Sequence, residues 1–147
     1  MEEIKIIPNQ DLELIFPLLL LLNEEEDQQK IKGRLDKIKT FENYFCIGIF
    51  INRELAGCCG VWELHKIYAG PHLEVDNVCV LPEYRGKALG EKMIDWVTNY
   101  AKSNGFNSIE LNAYIVNERG VAFWEKVGAV KKGYHMVKFC QGDGWVL

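Results

Sequence analysis

The chain has 147 residues, of which 48% are hydrophobic and 26% are charged, and its formal net charge is −4. A chain of this length can bury a substantial core, so we predict a single domain over residues 1–147. The acidic balance argues against nonspecific nucleic-acid binding and favours a cationic substrate.

The cysteines, at positions 46, 58, 59, 79 and 140, have neither a CxxC pair nor zinc-ligand spacing. We therefore expect free thiols in a reducing cytoplasm and no metal site. The hydrophobic run Leu14–Leu22 is far shorter than the about 20 residues that span a bilayer. No membrane span is expected.

The N-terminal part alternates strand and helix patterns. Ile4–Ile7 is a short strand, and Asp11 is a candidate N-cap for a helix through the leucine run, which Pro17 should kink or interrupt. Asn23, followed by four acidic residues, is the candidate N-cap of a second helix.

The middle of the chain predicts a β-hairpin and a further strand. Tyr44–Ile51 and Leu55–Ile67 are rich in aromatic and β-branched residues and are joined by a turn at 52–54. His72–Val80 is the next strand. Apolar residues then recur at helical spacing from Leu89 until Gly105.

The C-terminal part continues with Ser108–Ile115 as a strand, so strand, helix and strand form a right-handed crossover with two parallel neighbours. Asn117–Val127 is helical by its apolar spacing. Ala129–Cys140 is predicted to hold two further strands, and residues 141–147 a short tail.

Residues 78–90, VCVLPEYRGKALG, change from a strand end to a basic, glycine-spaced loop and then to an amphipathic helix. The first turn of a helix has free N–H groups and a partial positive charge, so this arrangement suits an anion. It lacks the Gly-Lys-Ser/Thr ending of a Walker loop and the glycine spacing of a dinucleotide fingerprint. The loop has two interpretations: it binds a nucleotide-bearing ligand, or it is a tight turn with exposed basic residues.

Pro82–Gly90 resembles the acyl-CoA pyrophosphate loop of the GNAT N-acetyltransferases, Arg/Gln-x-x-Gly-x-Gly/Ala. Asn117 and the later segment AFWEKVGA are similar to the family's asparagine and FYEKxGF helix. Two motifs in this order are far more specific than either alone. The resemblance covers residues from Leu73 to Phe139, and the N-terminal half only in its order of helices and strands.

The resemblance implies a mixed α/β fold with about six to seven strands, splayed between the fourth and fifth, and about four flanking helices. It implies an enzyme that transfers an acetyl group from acetyl-CoA to a primary amine by direct attack in a ternary complex. Members of the family often form homodimers, although no segment of this chain requires one.

The resemblance also assigns residues to acetyl-CoA. Strand backbone would pair with pantetheine and offer an N–H to the acyl oxygen, while loop amides would hold the pyrophosphate. The asparagine would bind pantetheine or phosphates, or act as a plain N-cap. The assigned residues are Val78, Cys79, Val80, Arg85, Gly86, Lys87, Ala88, Leu89, Gly90, Asn117 and Trp124.

Two positions depart from the family pattern. Ala88 replaces a usual glycine, and we expect binding to persist because a residue with ordinary helical angles needs no glycine. Trp124 replaces the tyrosine that protonates the leaving thiolate in many members, and an indole N–H is not a useful acid. Either another group or water supplies this proton, or the chain is a catalytically silent acyl-CoA-binding sensor.

The attacking amine needs a base, because an alkylammonium with a pKa of about 10.4 is almost fully charged at neutral pH. Glu74 is the first candidate and Asp76, on the same side of the predicted strand, is the second. For each carboxylate, an exposed surface position is the alternative.

Other candidates for the site are weaker. His65 and His72 are candidate proton relays, although a histidine at a strand end is more often a polar surface residue. Cys79 is interpreted as a small core residue rather than a nucleophile. Trp62 is a candidate for the wall of the acceptor pocket.

Overall fold

The computed structural model describes residues 1–142 and 144, which fall into two compact units, Met1–Leu111 and Asn112–Leu147. The first unit contains a mixed sheet with strand order β1-β2-β3-β4-β5, antiparallel except for the parallel pair β4 and β5. The strands are Glu2–Ile7 (β1), Tyr44–Ile51 (β2), Glu54–Lys66 (β3), Gly70–Val80 (β4) and Ile109–Glu110 (β5). The helices are Phe16–Leu22 (α1), Gln28–Ile38 (α2), Leu89–Ser103 (α3) and, in the second unit, Glu118–Lys126 (α4). The predicted mixed α/β class is confirmed.

The predicted hairpin is the β2–β3 pair. Its turn is two residues long, because Ile51 pairs directly with Glu54. Asn52 and Arg53 have φ values of 49° and 73°. Positive φ at both central residues is the signature of a type I′ turn, whose twist matches that of the flanking strands.

Pro17 starts a helix instead of kinking one. A 3-10 helix, Asn9–Ile15, precedes α1, and Pro17 lies in the first turn of α1. The missing N–H of proline costs nothing there, because N–H groups of the first turn have no helical partner. The predicted cap at Asp11 is wrong, since the N-cap of the 3-10 helix is Pro8 and no side chain bonds to it.

Asn23 ends α1, and the prediction that it begins α2 is wrong. Its Nδ2 donates to the carbonyl oxygen of Leu19 at 2.8 Å. The N-cap of α2 is Asp27, whose Oδ1 accepts from the backbone N–H of Gln29 at 2.9 Å. An asparagine amide can accept from a free N–H at the start of a helix or donate to a free carbonyl at its end, and Asn23 donates at the end of α1.

The core lies on both faces of the sheet. On one face α1 and α2 pack against a cluster that includes Tyr44, Cys46, Cys58 and Cys79. On the other face α3 contacts β2, β3 and β4. The predicted apolar face of α3 is buried as expected: Leu89, Met93, Ile94, Val97 and Ala101.

The C-terminal strands are shorter and fewer than predicted. β5 spans two residues instead of Ser108–Ile115, and Ala129–Cys140 contains no strand, so the described residues have five strands rather than six to seven. Val130 and Met136 in this segment are 73% and 87% exposed, so little of either side chain is packed. Strand propensity reflects packing against neighbouring strands and does not create a strand without them. The predicted tail falls partly on residues outside the described part of the chain.

Candidate active site

The sheet opens between β4 and β5. The ladder between these strands consists of Leu73 with Ile109 and Glu74 with Glu110. β5 ends at this point, whereas β4 continues to Val80. Along the rest of β4, therefore, one backbone edge has no strand partner among the described residues. An extended ligand can bind such an edge by adding to the sheet.

A β-bulge in β4 changes which residues face this open edge. Between the pairs Gly60–Asp76 and Cys58–Cys79, β4 has one more residue than β3, and Asn77 there has a φ of 48°. Before the bulge, the N–H of Leu73 donates to the carbonyl oxygen of Ser108, beside β5. After it, the N–H of the odd-numbered Leu81 donates to the carbonyl oxygen of Ala56 in β3. Since backbone groups alternate along a strand, those of Val80 point toward the open edge.

The loop after β4 presents a row of free amide groups. A 3-10 helix, Pro82–Tyr84, is followed by the exposed residues 85–88 and then by α3. Within the described residues, the backbone N–H groups of residues 86–90 make no hydrogen bond. Exposed amides at the start of a 15-residue helix are the donors that an anion requires. The loop therefore fits the pyrophosphate of a coenzyme A.

Arg85 fastens this loop to the strand. Its Nε donates to the carbonyl oxygen of Val80 at 3.2 Å, which leaves the rest of the guanidinium group available to a ligand. Lys87 lies over the ring of Tyr84, 5.7 Å from its centroid. Both cations are therefore held near the free amides.

Ala88 does not have the ordinary helical angles that we expected. It is the N-cap of α3 with φ 59° and ψ 28°, in the left-handed region, and Gly86 has a φ of 82°. A Cβ makes the left-handed conformation unfavourable, so alanine is strained where the family usually has glycine. The loop therefore keeps its free amide groups even though Ala88 is in a strained conformation.

Glu74 and Asp76 lie on one face of β4, while Leu73 and Val75 are buried on the other. Asp76 Oδ2 accepts from Trp62 Nε1 at 2.9 Å. Burial raises the pKa of Asp76, and the nearby charge of Glu74 raises it further, while the Trp62 hydrogen bond opposes the shift. Within the described residues the Glu74 carboxylate has neither a hydrogen bond nor an ion pair.

Aromatic residues surround the two carboxylates. Trp62 stands opposite Glu74 in the ladder, and its ring centroid lies 4.7 Å from that of Tyr44 and 5.6 Å from that of Phe41. Burial raises the pKa of Tyr44, which keeps its hydroxyl protonated. Sequence reasoning missed Tyr44 and Phe41, because the helical and strand patterns show burial but not which residues meet across the sheet.

The three other candidates differ in their surroundings, and only His72 departs from its expected surface position. His72 is 1% exposed rather than a surface residue: its Nδ1 lies 3.0 Å from the carbonyl oxygen of Gly70, and its Nε2 lies 3.4 Å from Glu110 Oε2. His65 is exposed. Cys79 is 6% exposed within the core, and burial raises the pKa of its thiol.

The second unit carries the remaining motif. Asn117 is the N-cap of α4, and its Oδ1 accepts from the backbone N–H of Gly120 at 3.0 Å. Phe123 and Trp124 form an edge-to-face pair with ring centroids 5.1 Å apart. The amide nitrogen of Asn117 remains available to a ligand, so capping and binding are compatible.

Two classes of feature are absent from the described residues. They contain no group of three or more His, Cys, Asp or Glu side chains that could hold a metal ion. Across residues 1–142 and 144, no helix has the length and hydrophobicity to span a membrane. All five cysteines are free thiols.

Comparison with known proteins identifies the family. The acetyltransferase (GNAT) family profile matches residues 12–129. An uncharacterized N-acetyltransferase, YhdJ, of Bacillus subtilis (strain 168) is 22% identical over 120 residues, which are 81% of this chain and 84% of that protein.

Solved structures share the fold. A ribosomal-protein-alanine N-acetyltransferase from Brucella melitensis biovar Abortus 2308 has a TM-score of 0.79 at 20% identity, covering 95% of this chain and 99% of that one. AAC(6')-Iy, in complex with the bisubstrate analogue CoA-S-monomethyl-acetylneamine, has a TM-score of 0.80 at 14% identity, with coverages of 95% and 99%. The chain therefore belongs to the acetyltransferase (GNAT) family and is an acetyl-CoA-dependent N-acetyltransferase.

Proposed function

We propose that this enzyme acetylates a cationic primary amine, which attacks acetyl-CoA directly in a ternary complex. The observation that carries the proposal is the pair Glu74 and Asp76, on one face of β4 beside its open edge. No Lys or Arg pairs with Glu74 within the described residues. A protonated amine is the natural counter-ion for such a group.

Acetyl-CoA supplies the acetyl group as a thioester, and this chain offers groups to hold it. The free amides of residues 86–90, with Arg85 and Lys87, suit the pyrophosphate. The strand backbone at Val78 and Val80 suits the extended pantetheine arm, whereas the backbone groups of Cys79 point toward Cys58 on β3. Asn117 and Trp124 join this set through the family resemblance.

The two carboxylates have different roles in this proposal. Glu74, which is half-buried, holds the incoming ammonium group. Asp76 receives its proton, because burial gives Asp76 a raised pKa and a more basic carboxylate is the better proton acceptor. The neutral amine then forms the new C–N bond as the C–S bond breaks, and the second proton that the nitrogen loses passes to water.

Attack is direct because the nearby thiol is a poor nucleophile. Burial raises the pKa of Cys79, so its thiol stays protonated at neutral pH, and only a thiolate attacks efficiently. The leaving thiolate takes its proton from water, since the indole of Trp124 cannot act as the acid.

Two of the shared-fold structures bear on the acceptor. Their names specify a ribosomal-protein alanine and an acetylneamine analogue, and both contain amine nitrogens. The acidic face favours the protonated form of such an acceptor. The family match crosses the boundary between the two units, which supports one functional domain over residues 1–147. Five free thiols support a cytoplasmic location.

A steady-state assay of CoA thiol release with a panel of amines tests the proposal. Asp76→Asn is expected to lower kcat by about 10²–10⁴, the usual contribution of a general base. Glu74→Gln is expected mainly to raise the KM for the amine. Trp96→Phe, on the other face of the sheet, is the control and should change neither.

Two results would contradict the proposal. Acetyl-CoA binding without turnover on any amine would indicate the sensor instead. A large loss of kcat in Glu74→Gln, with kcat retained in Asp76→Asn, would exchange the two roles.

A further inference from the structure

The Asp76 carboxylate lies across β3 rather than pointing straight out from its own strand. Gly60 stands directly opposite Asp76 in the ladder, and Trp62 stands opposite Glu74. The Asp76 side chain nevertheless reaches Trp62 Nε1 at 2.9 Å. It therefore leans diagonally over Gly60.

This orientation depends on the absence of a side chain at Gly60. A Cβ there would overlap Asp76 Oδ1 and would lie 3.0 Å from the Tyr44 hydroxyl oxygen. The φ of Gly60 is not in the left-handed region, so its backbone does not itself require glycine. The requirement is for space beneath the carboxylate.

We propose that Gly60 and Trp62 are positioning residues for the Asp76 carboxylate: Gly60 leaves the space that it occupies, and the indole N–H fixes its direction. The inference rests on the base role of Asp76 proposed above. Neither residue belongs to the acetyl-CoA loop or to the carboxylate pair. A hydrogen bond to a charged group is strong enough to hold a half-buried side chain in one rotamer.

The groups that face Asp76 also determine how it titrates. The adjacent ionisable groups are Glu74 on its own strand, Tyr44 on β2 and Cys59 on β3, with the Asn77 amide beside it. α1, which packs against β4, has only apolar residues (FPLLLLL). The indole N–H is thus a principal stabiliser of the ionised form, and removing it raises the pKa of Asp76 further.

Trp62→Phe tests the positioning role with little loss of packing, because phenylalanine keeps an aromatic ring beside Tyr44 and Phe41. The acid limb of the kcat/KM profile, measured with a fixed amine, should move to higher pH. At neutral pH kcat should fall about tenfold or more, since hydrogen bonds to charged groups are worth about 1.5–3 kcal/mol. The KM for acetyl-CoA should not change. Trp96→Phe is the matched control.

Gly60→Ala tests the space requirement, with Gly33→Ala as its control, because a Cβ on Gly33 meets no atom within 4 Å. We expect Gly60→Ala to lower kcat about tenfold or more in the wild-type background and to have no effect on residual activity in Asp76→Asn. Binding of acetyl-CoA, followed by thermal shift, verifies that each variant is folded.

One result would overturn the positioning role and leave the proposed function intact. In it, Asp76→Asn removes the acid limb of the kcat/KM profile, whereas Trp62→Phe changes neither the position of that limb nor kcat. If Gly60→Ala lowered kcat equally in the wild-type and Asp76→Asn backgrounds, the role of Gly60 would be overturned. An acid limb that persists in Asp76→Asn would overturn the base assignment itself.

Discussion

Asp76 is the residue at which stability and activity oppose each other. Its raised pKa means that the folded protein holds this proton more tightly than the unfolded chain does. Stability is therefore lost as pH rises from the ordinary carboxyl pKa of about 3.9 through the raised folded value. Above the folded pKa the protein bears the full cost of burying the charge.

Asp76→Asn should consequently raise the midpoint of thermal unfolding at pH 7 while it lowers kcat. Asparagine keeps an oxygen acceptor for Trp62 but removes the buried charge. Thermal unfolding at several pH values measures this effect, and the gain should shrink toward zero below pH 4 or so as the wild-type carboxyl becomes protonated. A gain that is independent of pH would contradict the explanation.

Ala88 is a second residue at which the structure predicts the direction of a stability change. Ala88→Gly should increase the free energy of unfolding by about 1 kcal/mol, because glycine adopts the left-handed conformation without strain. Gly86→Ala, at a φ of 82°, should have the opposite effect and serves as the comparison. Urea denaturation measures both, and destabilisation by Ala88→Gly would refute the strain.

At the scale of elements, the connection between α1 and α2 contains two helix-capping residue types, Asn23 and Asp27, which act at different helix ends. Asn23 satisfies a carbonyl at the end of one helix, and Asp27 satisfies an N–H at the start of the next. The helices pack on the face of the sheet that carries the carboxylates. The capping of α1 and α2 therefore affects the stability of the helices that pack beside the two carboxylates.

Asp27→Ala should lower the free energy of unfolding by about 1 kcal/mol, the usual effect of losing an N-cap. Glu24→Ala is the control, because Glu24 lies in the connection outside both helices and should change stability little. Chemical denaturation of both variants measures the difference. Equal effects would mean that charge, rather than capping, stabilises this segment.

For the whole molecule, binding of acetyl-CoA should be detectable without any acceptor. At a concentration 100 times the Kd, a ligand that binds only the folded state adds about 2.7 kcal/mol of stability. For a chain of this size this corresponds to a rise of about 5–10 °C in Tm.

Pantetheine, which lacks the pyrophosphate, should give a much smaller thermal shift, because it cannot engage the free amides of the loop. Equal shifts from the two ligands at equal concentration would contradict the anion role of residues 86–90. Differential scanning fluorimetry measures both ligands in one experiment.

Local features were predictable from sequence wherever they depend on neighbouring residues in the chain. Strand and helix periodicity located β2, β3, β4 and α3, and the order of strand, basic loop and helix located the loop with free amides before α3. Family membership also followed from short motifs at Pro82–Gly90 and around Asn117. Each of these signals lies within a few residues along the chain.

The arrangement around Asp76 depended on the tertiary structure. The β4 bulge, the space at Gly60 and the indole bond to Asp76 involve residues that are distant in sequence and adjacent only in the sheet. The burial of His72 and the two-residue length of β5 likewise depend on pairing between strands. The sequence by itself determined the central strands, α3 and the co-substrate, because these signals are local. The register between strands, which no local pattern encodes, decided which carboxylate is buried and how it is held.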